Sequence, residues 1–204
     1  MILSQVAQIY DPVGLAAAFI VKAKIGVQQL WQLQVEWDED LPPAIKRKWI
    51  SLFQEMTELE NVSFERCLLA ANGQEAPALC VFADASQEAF ETCAYVGQKR
   101  SDDVYNVKFI LAKSRVPPLR QLTIARLELQ EFRIQFGNVY FFTDSTITLA
   151  WIQSPSRNFK PFVSSRIGEI QSDTDPSQWR HIPGEDNVAD DLSRGITVNE
   201  LSGR

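Results

Sequence analysis

Four acidic residues stand where a charge is costly unless something answers it. Asp84 ends the apolar run from Ala78 to Ala83 (ALCVFA), and Asp144 ends the run from Val139 to Thr143 (VYFFT). A carboxylate at the end of an apolar strand must be solvated, paired or metal-bound. Glu128 lies between leucines in Arg126-Leu127-Glu128-Leu129, and Asp190 follows Asn187-Val188-Ala189. Each has a plain structural account. Asp84 can open a turn, Asp144 can cap the helix that follows, Glu128 can be a surface side chain, and Asp190 suits the positive end of a helix dipole. Taken together they point to one chemistry. Mg2+ takes hard oxygen ligands and keeps several of its waters. Two such ions about 4 Å apart activate a water and steady the leaving oxygen in phosphodiester hydrolysis. Carboxylates packed that closely repel one another until a cation is bound, so convergence of these four implies a metal.

Other chemistries thin out quickly. A Ser-His-Asp or Cys-His pairing has only His181 to use, and it sits in Trp179-Arg180-His181-Ile182, which reads as strand. Cys67, Cys80 and Cys93 form no CxxC pair and have apolar neighbours, so they read as buried free thiols. The net charge of −6 is unevenly spread: residues 99–133 carry eight basic and four acidic side chains. A solvated surface and a nucleic-acid contact both account for that bias. The apolar stretch from Val13 to Val21 closes at Lys22, short of the roughly 20 residues a membrane span needs. The first residues lack the basic lead of a secretory signal. The expectation is an intracellular protein (cytoplasm or nucleus) with no membrane contact.

The elements that must position these acids follow from periodicity. The first sixty residues read as helical. Asp11-Pro12 is a helix start, and Pro42-Pro43 opens a second helix with Ile45, Trp49, Phe53 and Met56 on one face. From about residue 76 the pattern changes to short strands at Ala78 to Ala83, Ala94 to Val96, Val107 to Ala112, Val139 to Thr143 and Trp179 to Ile182. Helices are expected at about Ile124 to Phe136, Ser145 to Trp151 and Asn187 to Arg194. Three strands joined by short loops make an antiparallel meander, and helical crossovers then lead to two parallel strands. The fold expected is α/β, a mixed five-stranded sheet flanked by helices. Residues 1–65 form an N-terminal helical segment and residues 76–204 the sheet domain.

The stretches CVFADAS, LAKSRVPPLRQLTIARLELQ, VYFFTDSTITLAWI and WRHIPGEDNVADDLSRG resemble the RNase H-like region of BEL/Pao-type retrotransposon polyproteins. The upstream run from Ile2 to Pro42 resembles the segment that follows the reverse-transcriptase palm in the same polyproteins. The resemblance implies an RNase H-like fold in which Asp84, Glu128, Asp144 and Asp190 are the catalytic and metal-binding acids. It implies two Mg2+ or Mn2+ ions, cleavage of the RNA strand of an RNA–DNA hybrid, and a reverse-transcriptase palm as partner. Lys113, Arg115 and Arg120 are expected at backbone phosphates because of their nearness to these motifs.

The chain departs from the family pattern in three places. Only nine residues, Gln130 to Asn138, separate Leu129 from Val139, so the crossover helix is short. The loop before Asp190, Pro183-Gly184-Glu185-Asp186, lacks the histidine of cellular RNases H, and His181 reads as structural. No Tyr-x-Asp-Asp polymerase motif or Asp-Thr/Ser-Gly protease signature occurs. Two other readings therefore stay open. One is a remnant that binds nucleic acid without cutting it. The other is a scaffold that packs against a partner through the face around Trp49 and Phe53, which an exposed apolar patch there would support.

Overall fold

Strands form where branched and aromatic side chains alternate with a period of two, and five such runs pair into one sheet. The structure, a computed structural model, describes residues 2–36, 39–64, 67–69, 75–86, 88–99, 104–116 and 138–202. The strands are β1 (Ala78–Ala85), β2 (Phe90–Lys99), β3 (Tyr105–Arg115), β4 (Asn138–Thr143) and β5 (Trp179–His181), in the order β3-β2-β1-β4-β5. β1 and β2, and β2 and β3, pair antiparallel, whereas β4 runs parallel to both β1 and β5. This is the expected meander followed by two parallel strands. The meander strands run longer than their apolar cores, because β2 and β3 continue through polar residues at both ends.

Register divides the strand residues between two faces. One face carries Leu79, Val81, Ala94, Val96 and Ile110, packed with Val139 and Phe141. The other carries Phe82 and Cys93, packed with Tyr95, Phe109 and Ala112. On that second face Phe82 stacks on Phe142 with ring centroids 4.8 Å apart, and Tyr95 meets Phe109 edge-on at 5.5 Å. Ring pairs of this kind add about 1 kcal/mol each beyond their buried area.

Two helices cover the second face, α2 (Ala17–Gln32) from the N-terminal segment and α6 (Val188–Arg194) from the end of the chain. They reach it through small residues, Ala17 and Ala18 of α2 and Ala189 of α6, against Cys93 and Ala112. Gly14 makes that approach possible. Its φ is +77°, and a Cβ there would stand 1.9 Å from the Ala112 carbonyl oxygen. Beside it the Ala112 N–H donates to the Val13 carbonyl at 2.8 Å, so the chain before α2 satisfies a backbone group of edge strand β3. The α2 helix begins later than Asp11-Pro12. Asp11 instead accepts from the Leu15 and Ala16 N–H groups and closes the turn leading into it.

A third cluster joins α2 to α3 (Pro43–Thr57) and α7 (Val198–Ser202), around Phe19, Ile20 and Val198. Trp49 is buried here, its ring so close to Gly26 that a Cβ would lie 2.8 Å from it. The apolar side chains left exposed in this region are Trp31, Leu33 and Ile50 rather than Trp49. A short helix α1 (Ile2–Val6) precedes α2, and α4 (Thr146–Ile152) and α5 (Pro161–Asp173) lie between β4 and β5. The sequence pattern did not announce α1, α5 or α7. The helix expected at 124–136 lies outside the described residues. No described helix is long and apolar enough to cross a membrane. Cys67, Cys80 and Cys93 are free thiols, but only Cys93 is buried: Cys80 is half-buried and Cys67 exposed.

Candidate functional site

On the second face the sheet changes character from one pair of residues to the next. The row Phe142–Phe82–Cys93–Ala112 is apolar. Two residues further along each strand, towards the C-terminal end of β1, stands a polar row. Asp84 pairs with Glu91, Glu91 pairs with Ser114, and Asp144 follows the last β1–β4 pair, Ala83↔Thr143, as Asp84 does. Directly paired residues share a face, so Asp84, Glu91 and Ser114 form a row across β1, β2 and β3, and Asp144 continues it just past the end of β4.

Local chemistry directs Asp144 into this row. The helix α4 is capped by Ser145, whose Oγ accepts from the Thr148 N–H at 3.1 Å. The aspartate is thereby spared the capping role. His181 of β5 stands beside it, with Nε2 3.1 Å from the Asp144 carbonyl oxygen. A carbonyl only accepts, so Nε2 carries the proton in this contact. Gly184 brings the following turn close, since a Cβ there would lie 3.5 Å from Asp144 Oδ2.

Asp190 enters from above, in the first turn of α6. Asn187 sets that helix in place with two bonds. Its Oδ1 accepts from the Ala189 N–H as N-cap, and its Nδ2 donates to the Ala83 carbonyl, next to Asp84, each at 3.2 Å. Asp190 Oδ1 pairs with Arg194 at 2.9 Å. Burial raises the Asp190 carboxyl above its ordinary range. Arg194 opposes the rise, and the charges of Asp84, Asp144 and Asp191 add to it. The three aspartates therefore share one electrostatic neighbourhood.

Glu128 lies outside the described residues, as does Arg120. Lys113 and Arg115 are exposed on edge strand β3. They alternate with Ala112 and Ser114, which places them on the face opposite the acid row.

The sequence reading missed Glu91. It is 3% exposed, and neither carboxylate oxygen has a hydrogen-bond partner among the described residues. Burial pushes its pKa up to about 9, with Lys24 opposing and Asp84 adding to the rise. Lys24 reaches the same row from α2, its Nζ donating to the Ser114 carbonyl and Oγ, both at 2.8 Å. Its own pKa is lowered, by burial first. Glu91 falls two residues before Cys93, on the inward parity of β2. An assigned strand reaching back to Phe90 would have exposed it as an inward-facing charge.

The donors on this face are carboxylate oxygens, the chemistry a hard divalent cation requires. Among the described residues, no group of three or more His, Cys, Asp or Glu side chains stands close enough together to hold a metal ion. Mg2+ needs no such cage. It is commonly held by one or two carboxylates, with waters and substrate phosphates completing its shell.

A sheet ordered β3-β2-β1-β4-β5, with acids at the ends of β1 and β4 and at the start of the last crossing helix, defines an RNase H-like α/β fold. The family model of the Pao retrotransposon-like RNaseH-like domain matches residues 1–140, and the chain belongs to that family. The match takes in the N-terminal helices, Asp84 and Glu128, and ends before Asp144 and Asp190. Comparison with curated proteins and with solved structures gave no match.

Proposed function

We propose that this retrotransposon domain is a metal-dependent nuclease that cleaves the RNA strand of RNA–DNA hybrids. The observation that carries the reading is that Asp84 and Asp144 each directly follow the last pair of the parallel strands β1 and β4, Ala83↔Thr143, with the helix that bears Asp190 tied to Ala83 by Asn187. In this reading Asp84, Asp144, Asp190 and Glu128 would hold two Mg2+ or Mn2+ ions. Bound there, such ions would supply activation of a water and neutralisation of charge on the scissile phosphate. The chain's own residues do the orienting. Ser145 caps α4 and leaves Asp144 to the site, Asn187 ties α6 to β1, and Arg194 holds one oxygen of Asp190. Lys113 and Arg115, with Arg120, would answer backbone phosphates without reading sequence. The place of Lys113 and Arg115 on the other face means that these two would meet a different part of the duplex from the acids.

The test is cleavage of a hybrid labelled on its RNA strand, with Mg2+, by wild type and by Asp144→Asn. Wild type is expected to cut, and the variant to lose about 100-fold or more, beyond what supporting residues around metal ligands cost. Equal inertness of the two overturns the nuclease reading. Retention of the hybrid at low salt without cleavage would then favour the nucleic-acid-binding remnant. A chain that neither cuts nor binds would leave the interaction scaffold.

A further inference from the structure

The nuclease reading places its ions among Asp84, Asp144, Asp190 and Glu128 and leaves Glu91 without a part. We propose that Glu91 is a further ligand of this chain's metal centre, sharing with Asp84 a divalent cation bound on the β1–β2 side of the row. The inference rests on that reading and extends it to a residue that neither the motifs nor the family resemblance singles out.

Three observations carry it. Glu91 is directly paired with Asp84 in the antiparallel β1–β2 register, so the two side chains leave the same face with Cβ atoms about 5 Å apart. Both Glu91 carboxylate oxygens are buried and have no hydrogen-bond partner among the described residues. The residues around the pair supply little compensation. The row beneath is apolar, through Phe82 and Cys93, and the Ser114 hydroxyl alongside, which accepts from Lys24, makes no hydrogen bond to Glu91. A buried carboxylate with no partner is costly unless it is neutralised or coordinated. A hard cation taking one oxygen from each acid would answer that cost, carboxylate oxygens being the ligands Mg2+ prefers.

The rival account is that Lys24 is the whole answer. Its ammonium is anchored on Ser114, the residue paired with Glu91 on the other side, and it is the cation nearest the row from α2. The two accounts differ in what Lys24 does to metal binding. As a competing positive charge it weakens binding at a shared Asp84–Glu91 site, whereas as a purely structural partner it has no influence.

The experiment is titration of the full chain with Mn2+, following free ion by electron paramagnetic resonance, for wild type, Asp84→Asn, Glu91→Gln and Lys24→Met. Circular dichroism melting without metal reports folding. Wild type is expected to bind Mn2+ and Asp84→Asn to lose the site. Glu91→Gln is expected to bind about ten-fold or more weakly while melting no lower than wild type, and Lys24→Met to bind more tightly than wild type. Wild-type affinity in Glu91→Gln overturns the proposal and leaves the nuclease reading intact. Should Glu91→Gln fail to fold, Lys24→Met decides, and unchanged affinity there overturns the proposal. A wild type that binds no Mn2+ at millimolar concentration overturns both.

Discussion

Asp84, Asp144 and Asp190 come from three distant parts of the chain to one end of one sheet face, near enough for the charges of Asp84 and Asp144 to raise the Asp190 carboxyl. Each had an innocent explanation in the sequence, and the structure removes one of them: Ser145, not Asp144, caps α4. Glu91 shows what a buried acid does to the whole protein. Its pKa is near 9 in the folded state against an ordinary 4.5, so the folded chain holds a proton that the unfolded chain has released between those values. Stability from this group is full below about pH 4.5 and is lost progressively as pH rises through 9. In metal-free buffer the melting temperature is therefore expected to fall between pH 5 and pH 9, and Glu91→Gln to flatten that slope. A melting temperature that rises over this range in wild type, or the same slope in the variant, would contradict the assignment. Cys93, beside this group and raised still further by burial, is expected to resist alkylation in the folded chain while exposed Cys67 reacts.

At the scale of elements, the site depends on how α2 and α6 are set on the sheet. Asn187 does two things for α6, capping its first turn and bonding the strand next to Asp84. Asn187→Ala is expected to cost about 2 kcal/mol, from a lost cap and the lost hydrogen bond to the Ala83 carbonyl. It should also weaken Mn2+ binding, because Asp190 loses its fixed position. Urea unfolding and the Mn2+ titration measure the two effects. Gly14→Ala is expected to cost about 3 kcal/mol or more, since the new Cβ meets backbone rather than a flexible side chain, at a φ of +77°. Melting at the wild-type temperature would contradict the close approach of α2 to β3. Much of this level was legible in the sequence. The strands at 78–83, 107–112 and 139–143 and the helix after Asn187 stood out because their apolar periods are clean. β2 was read too short because Glu91 and Thr92 break its apolar run, although strand pairing tolerates both. α5 was missed because its apolar positions, Phe162, Val163, Ile167 and Ile170, are spread among serines and charges. The same interruption hid the site's fourth described acid. A charge that belongs to a strand looks like the end of one.

At the scale of the molecule, the N-terminal helices and the sheet share a core, with Ala17 and Ala18 packed beside Cys93, Ala112 and Leu192. Sequence alone placed residues 1–65 in a separate helical segment. Nothing in their local pattern reveals which face of a distant sheet they cover, because that depends on contacts between residues far apart in the chain. A fragment of residues 76–204 is expected to bare this face and to show the weak near-ultraviolet dichroism and dye binding of a loosely packed chain. A sharply melting fragment would show that the sheet is complete without α2. The claim on which the whole account turns is that the row Asp144–Asp84–Glu91, with Asp190 above it, is a divalent-cation centre. Anomalous diffraction from Mn2+-soaked crystals tests it most directly. An anomalous peak is expected within coordination distance of Asp84 and of Asp144 or Glu91. Mn2+ peaks confined to other parts of the surface, with this row open to solvent in the lattice, would contradict it.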